Sequence, residues 1–165
     1  MSSQKKRTVL TYVIAIAVPL AVGLLSALLT RGNMDIYDRL ITPPLSPPSI
    51  LFPIVWTVLY VLMGISYAIV WQRRSENIET ADRGLAYYAV SLAFNFAWSI
   101  IFFNFGRYLF AFLWIICLLY LIIRYTVVYK KISHGAAYLQ IPYIIWVSFA
   151  GYLNFGICVL NRRLF

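Results

Sequence analysis

The run TVLTYVIAIAVPLAVGLLSALLT, residues 8–30, holds no charged side chain and follows directly on Lys5-Lys6-Arg7. A helix needs about 20 apolar residues to cross a hydrocarbon core, and this run is long enough. A basic head before an apolar stretch also fits a secretory signal. The run, however, exceeds the usual ~7–15-residue apolar segment of such signals. The reading is a retained first membrane helix, with Pro19 as the expected kink.

Four more runs of the same kind follow. They predict helices at about 50–72, 84–105, 108–129 and 137–161, which with 8–30 make an all-α integral membrane bundle of five transmembrane helices. One domain, 1–165, takes up the chain. Loop 1, residues 31–49, carries Pro43-Pro44 and Pro47-Pro48, which resist helix and favour an extended, stiff path. Residues 73–83 read as a short solvated connection. Asn104-Phe105-Gly106-Arg107 reads as a tight turn, and residues 130–135 as a basic one.

The bulk composition agrees. The chain of 165 residues is 62% hydrophobic and only 12% charged, with a mean hydropathy of +0.80. A soluble domain is about 25% charged. The net charge of +9 comes from residues scattered between apolar runs, not from a stripe suited to nucleic acid, so no nucleic-acid partner is expected. Such charges set topology and meet anionic headgroups of the lipid bilayer. Lys5, Lys6, Arg7, Arg73, Arg74, Arg83, Arg124, Lys130 and Lys131 fall on one side; Arg31, Arg39, Arg107, Arg162 and Arg163 fall on the other. The positive-inside rule then puts the N-terminus inside and loop 1 outside. Arg124, near a helix end, is expected to snorkel. With no organelle-targeting segment visible, a bacterial cytoplasmic membrane is favoured.

Small and polar residues reveal interfaces in lipid better than apolar ones do. Ala89, Ala93 and Ala97 form one stripe of small residues, open to internal packing or to a homodimer. A membrane-embedded Asn must find hydrogen bonds, so Asn95, with Trp98 one turn away, is expected to face the interior. Tyr143, Trp146, Ala150 and Asn154 share a helix face, as do Trp56, Tyr60, Gly64 and Tyr67. Converging, these faces would form an aromatic box with a few amide and phenol groups, suited to a flat, mostly apolar ligand. Aromatic belts and plain packing are the competing explanations: Trp71 reads as belt and Trp114 as packing or lipid contact. Cys117 and Cys158 read as structural thiols. One histidine, His134, cannot build a metal site, and neither metal nor cofactor is expected. The only carboxylates, Asp35, Asp38, Glu76, Glu79 and Asp82, lie near or beyond helix ends, so acid–base catalysis and ion-coupled transport find no intramembrane carboxylate.

Three blocks resemble the TspO/MBR family of tryptophan-rich sensory and translocator proteins. They are Pro43, Pro47-Pro48 with residues 54–60 (IVWTVLY) and Met63-Gly64; residues 95–99 (NFAWS) with Phe102-Phe103; and residues 142–154 (PYIIWVSFAGYLN) with Leu160-Asn161. The resemblance implies a five-helix bundle, commonly a homodimer, whose pocket opens toward loop 1 and takes porphyrins or other planar hydrophobic ligands. It implies that Trp56 and Trp146 line the pocket and are the candidates for a part in porphyrin photodegradation. It also implies that Asn95 lines the pocket, that Tyr37 lies over it, and that Ala150 affects ligand binding. The family pattern Lys-Pro-x-Trp-x-Pro-Pro is Thr42-Pro43-Pro44-Leu45-Ser46-Pro47-Pro48 here, without its lysine and tryptophan. Arg39 or Arg31 would then be the cation for an anionic ligand. No cholesterol site is expected, because Arg162 lies too far beyond Tyr152 for that weak motif. Two functions follow as expectations: a sensory or binding protein for a porphyrin-class ligand, and, alternatively, light- and oxygen-dependent degradation of that ligand in the same pocket.

Overall fold

The computed structural model describes residues 3–161, and among these every regular element is helical. Five helices are long and apolar enough to cross a membrane. The first, α1 (Ser3–Thr30), starts earlier than the apolar run because Lys5, Lys6 and Arg7 are themselves good helix formers. It continues through Pro19, which is buried within it. Loop 1 is not wholly extended: it holds a one-turn helix, α2 (Ile36–Arg39), before the proline-rich stretch. α3 (Leu51–Gln72) carries Pro53 in its first turn, where the missing N–H costs nothing.

The connection after α3 is shorter than its polarity suggests. α4 (Ile78–Ser99) begins six residues ahead of the expected 84. Asn77 caps it, its side chain accepting from the Thr80 N–H at 3.0 Å. Glu79 and Arg83 pair one turn apart at 2.7 Å, and Arg74 forks onto Asp82, so the charges of this segment belong to a helix start. Residues 100–104 continue α4 as a π-helical turn in which the Phe105 N–H donates to the Ile100 carbonyl at 3.2 Å. α5 (Tyr108–Lys130) follows. The last span is broken where a single helix was expected: α6 (His134–Tyr138) ends and α7 (Ile141–Leu160) restarts after two intervening residues. Pro142 has no N–H for the preceding turn, so the break falls just ahead of it. Arg162 and Arg163 lie outside the described residues.

The helices form a closed ring: α1 packs on α3 and α4, α5 on α4 and α7, and α3 meets α7 to close it. Gly64 sets the α1–α3 crossing, since a Cβ there would lie 2.5 Å from the Ala15 carbonyl oxygen. Gly64 therefore faces α1 and not the aromatic face with which its spacing grouped it. Met63, Leu118, Ile122, Tyr125, Tyr129 and Tyr143 fill the centre. The backbones of α3 and α7 touch at few positions, and large side chains fill the seam between them.

Candidate functional site

That seam gathers much of the expected aromatic set. Phe52 and Trp56 project from α3 one turn apart. The Phe52 ring stands 5.8 Å from Trp146, and the Trp56 ring 6.0 Å from Tyr143 on α7 and 5.5 Å from Tyr60. Antiparallel helices make this register: as α3 descends from 52 to 56, α7 retreats from 146 to 143. The Asn95 amide, buried on α4, donates to the Tyr60 hydroxyl at the long distance of 3.5 Å. It also lies near the Tyr143 hydroxyl, which makes no well-formed hydrogen bond among the described residues. The Trp146 indole N–H is likewise buried and unpartnered. Buried polar groups are nearly always satisfied in folded proteins, so two unmatched donors in one aromatic seam mark where a polar-edged ligand would find partners.

Loop 1 roofs the seam. Tyr37 is buried, its ring 5.1 Å from Phe52, and its hydroxyl donates to the Pro47 carbonyl at 3.3 Å. Burial pushes this phenol above its usual pKa, and the nearby Ser46 side chain partly offsets the shift. The proline stretch then runs along the C-terminal half of α7. The Tyr152 hydroxyl donates to the Pro44 carbonyl at 2.9 Å. Asn161 brackets Ile41, accepting from its N–H at 3.1 Å and donating to its carbonyl at 2.9 Å. Pro43 nests on Gly156, where a Cβ would come within 2.5 Å of the proline ring. Leu45, at the loop-1 position where the family pattern has tryptophan, is 84% exposed with φ 67°, so it makes no roof contact of the kind a buried tryptophan would.

The remaining expected residues divide. Ala150 and Asn154 are buried on α7. Asn154 accepts from the Trp98 indole N–H at 3.2 Å and donates to the Ala150 carbonyl at 2.7 Å. Trp98 stacks on Phe102. This pair cross-links α4 to α7 with its polar atoms already used. Tyr67 stands apart from the box, stacked on Trp71 and packed on Tyr88. Trp71 is 44% exposed near the α3 end, under the Arg74 guanidinium. Trp114 joins α5 to α4, stacking on Phe94 at 4.3 Å and donating to its carbonyl. Arg31 and Arg39 are exposed, and neither is in an ion pair among the described residues.

Phe52 and Gln140 escaped the sequence reading, and Asn161 entered it only as part of a family block. Phe52 carried a signal, lying four residues before Trp56 on one helix face. Gln140 sits in the α6–α7 break, and Asn161 finds its partner 120 positions away; neither has a local signature. Two hollows lie elsewhere. One of about 500 Å³ opens between α1 and α4 against Ala89 and Ala93, and one of about 320 Å³ opens between α5 and α7. Both are lined mainly by apolar side chains. Other buried polar atoms also lack partners among the described residues, Tyr88 beside the larger hollow among them, but the box sets two such donors among five aromatic rings beneath loop 1.

A family model for TspO/MBR proteins matches residues 15–160. The chain belongs to the TspO/MBR family. The tryptophan-rich protein TspO of Chlorobaculum tepidum is 34% identical over 160 residues, covering 94% of this chain and 98% of its own. Protein CrtK of Rhodobacter capsulatus is 39% identical over 125 residues, 76% of this chain and 78% of that one. The translocator protein of Bos taurus is 31% identical over 134 residues, 81% of this chain and 79% of the relative. This TspO/MBR chain is thus an integral membrane protein similar to both sensory and translocator proteins.

Proposed function

We propose that this chain binds a porphyrin-class ligand in the seam between α3 and α7, beneath loop 1, for sensing or transport. The observation that carries the reading is the set Phe52, Trp56, Tyr60, Tyr143 and Trp146 in ring contact, with the Trp146 N–H and Tyr143 O–H buried and unmatched. Flat faces suit a macrocycle, and the two donors suit its polar edge. Entry requires loop 1 to lift from α7 and the rings to part. Arg39, in no ion pair among the described residues, is the cation for an anionic substituent.

Tryptophan-fluorescence quenching by protoporphyrin IX tests the reading. Quenching is expected to saturate in wild type and to weaken in Trp146→Phe. Non-saturating quenching, equal in both, reduces the effect to pigment partitioning into detergent and ends the proposal. Arg39→Ala is expected to weaken binding about tenfold, the scale of one lost charge-assisted hydrogen bond; unchanged affinity removes Arg39 from the site.

The same tryptophans support a second reading, in which the bound pigment, excited by light in the presence of oxygen, is degraded with a tryptophan as the oxidisable neighbour. Trp56 and Trp146 lie half-buried in the box with rings on several sides. Retained binding with lost photobleaching in Trp56→Phe or Trp146→Phe supports this reading. Bleaching in wild type at the free-pigment rate removes it.

A further inference from the structure

Arg124 is exposed on the lipid-facing surface of α5, and among the described residues it meets no carboxylate. Lys130 ends α5, so Arg124 lies about 9 Å inside the helix end at about 1.5 Å per residue. A lone arginine at this depth is expected to reach outward to the headgroups. Here the guanidinium is held back instead. Its central carbon stands 5.9 Å from the Tyr120 ring, one turn toward the bilayer centre, and 5.8 Å from the Tyr87 ring on α4. Helical side chains lean toward their N-terminus, which for α5 means away from the Lys130 end. Two aromatic faces therefore hold a cation well inside the helix end, with no anion beside it among the described residues.

The neighbours extend the same chemistry. α4 and α5 close tightly at Gly84, where a Cβ would lie 3.0 Å from Val128 and from the Tyr129 ring. This brings Tyr87 of α4 alongside Tyr120 and Arg124 of α5, with Arg83 one turn before Tyr87 and Lys131 just past the end of α5. Arg83 is paired with Glu79. The seam keeps a positive excess, graded from Lys131 at the surface to Arg124 within.

We propose that this seam binds the phosphate of an anionic phospholipid, with Arg124 as its principal ligand. The guanidinium carbon stands over both rings in cation–π attraction, and guanidinium N–H groups suit a bidentate contact with phosphate oxygens. The acyl chains lie along the exposed apolar side chains of α5, among them Ile116 and Ile123. Basic seams between membrane helices favour anionic headgroups. A phosphate drawn to this depth belongs to a docked lipid, not to one diffusing in the bulk. This site is independent of the aromatic box.

The full chain, reconstituted in phosphatidylcholine bilayers with and without phosphatidylglycerol and then released into detergent, is examined by native mass spectrometry for retained lipid. Wild type is expected to keep phosphatidylglycerol in preference to phosphatidylcholine. Arg124→Gln is expected to reduce that retention about tenfold, the scale of one lost charge-assisted contact. Tyr120→Leu keeps the charge but removes a ring, and is expected to reduce retention by a smaller factor. Three results overturn the proposal: equal retention of both lipids by wild type, undiminished preference in Arg124→Gln, or displacement of phosphatidylglycerol by soluble glycerol phosphate. Circular dichroism of each variant separates loss of the site from loss of fold, and the exposed positions of Arg124 and Tyr120 make misfolding unexpected.

Discussion

Gln140 shows how one polar side chain shapes its surroundings in a bundle sealed from water. It is fully buried in the α6–α7 break and accepts a 2.7 Å hydrogen bond from the Tyr125 hydroxyl. Removing the amide alone leaves a buried phenol without a partner, at a cost of about 1–3 kcal/mol, whereas removing both partners is nearly neutral. Gln140→Leu is expected to lower stability by that amount, and Tyr125→Phe combined with Gln140→Leu to recover most of it. Thermal unfolding in detergent micelles measures both. Asn95 was legible in the sequence because an amide between apolar neighbours is conspicuous and must face inward. Gln140 was not, because it stands two residues before a proline at a presumed helix end, where polar residues usually face water. Trp98 was legible as buried but not as satisfied: only the fold brings Asn154 within 3.2 Å of its indole.

At the level of elements, hydrophobic runs locate helices well and their ends poorly. The run after residue 84 was visible, but α4 begins at Ile78, since Asn77 caps it and the Glu79–Arg83 and Arg74–Asp82 pairs make a charged first turns' surface helical. The α6–α7 break is written in Pro142, although a proline early in a helix reads equally well as a tolerated first-turn residue. Loop 1 was legible as stiff but not as docked, because its partners lie on α7, more than 100 positions away. Asn161→Ala removes both side-chain bonds to Ile41, and loop 1 is expected to lose about 1–3 kcal/mol of local stability. Limited proteolysis reads this directly: cleavage between α1 and α3 is expected to accelerate while the helices stay protected.

For the molecule as a whole, five spans place the two termini on opposite faces, and the basic residues set which face is which. With Cys117 and Cys158 replaced by Ser, Leu45→Cys is expected to react with an impermeant thiol reagent added outside intact cells. Ser75→Cys is expected to react only after permeabilisation. The opposite pattern inverts the orientation. Composition alone made the membrane class legible, because 12% charge cannot cover a water-facing surface. It did not make the ring of helices legible, because lipid-facing and inward-facing apolar residues look alike in a sequence.

The seam between α3 and α7 differs from the rest of the wall. At the α1–α3 crossing a glycine brings backbone onto backbone, and any added atom displaces a helix. Between α3 and α7 the spacing is kept by ring side chains, so exchanging one ring for a smaller one enlarges the chamber without shifting a helix axis. The frame and the chamber are separately adjustable. On the proposed function, editing Phe52, Trp56, Tyr143 and Trp146 changes the ligand fit and leaves the load of stability on the other walls.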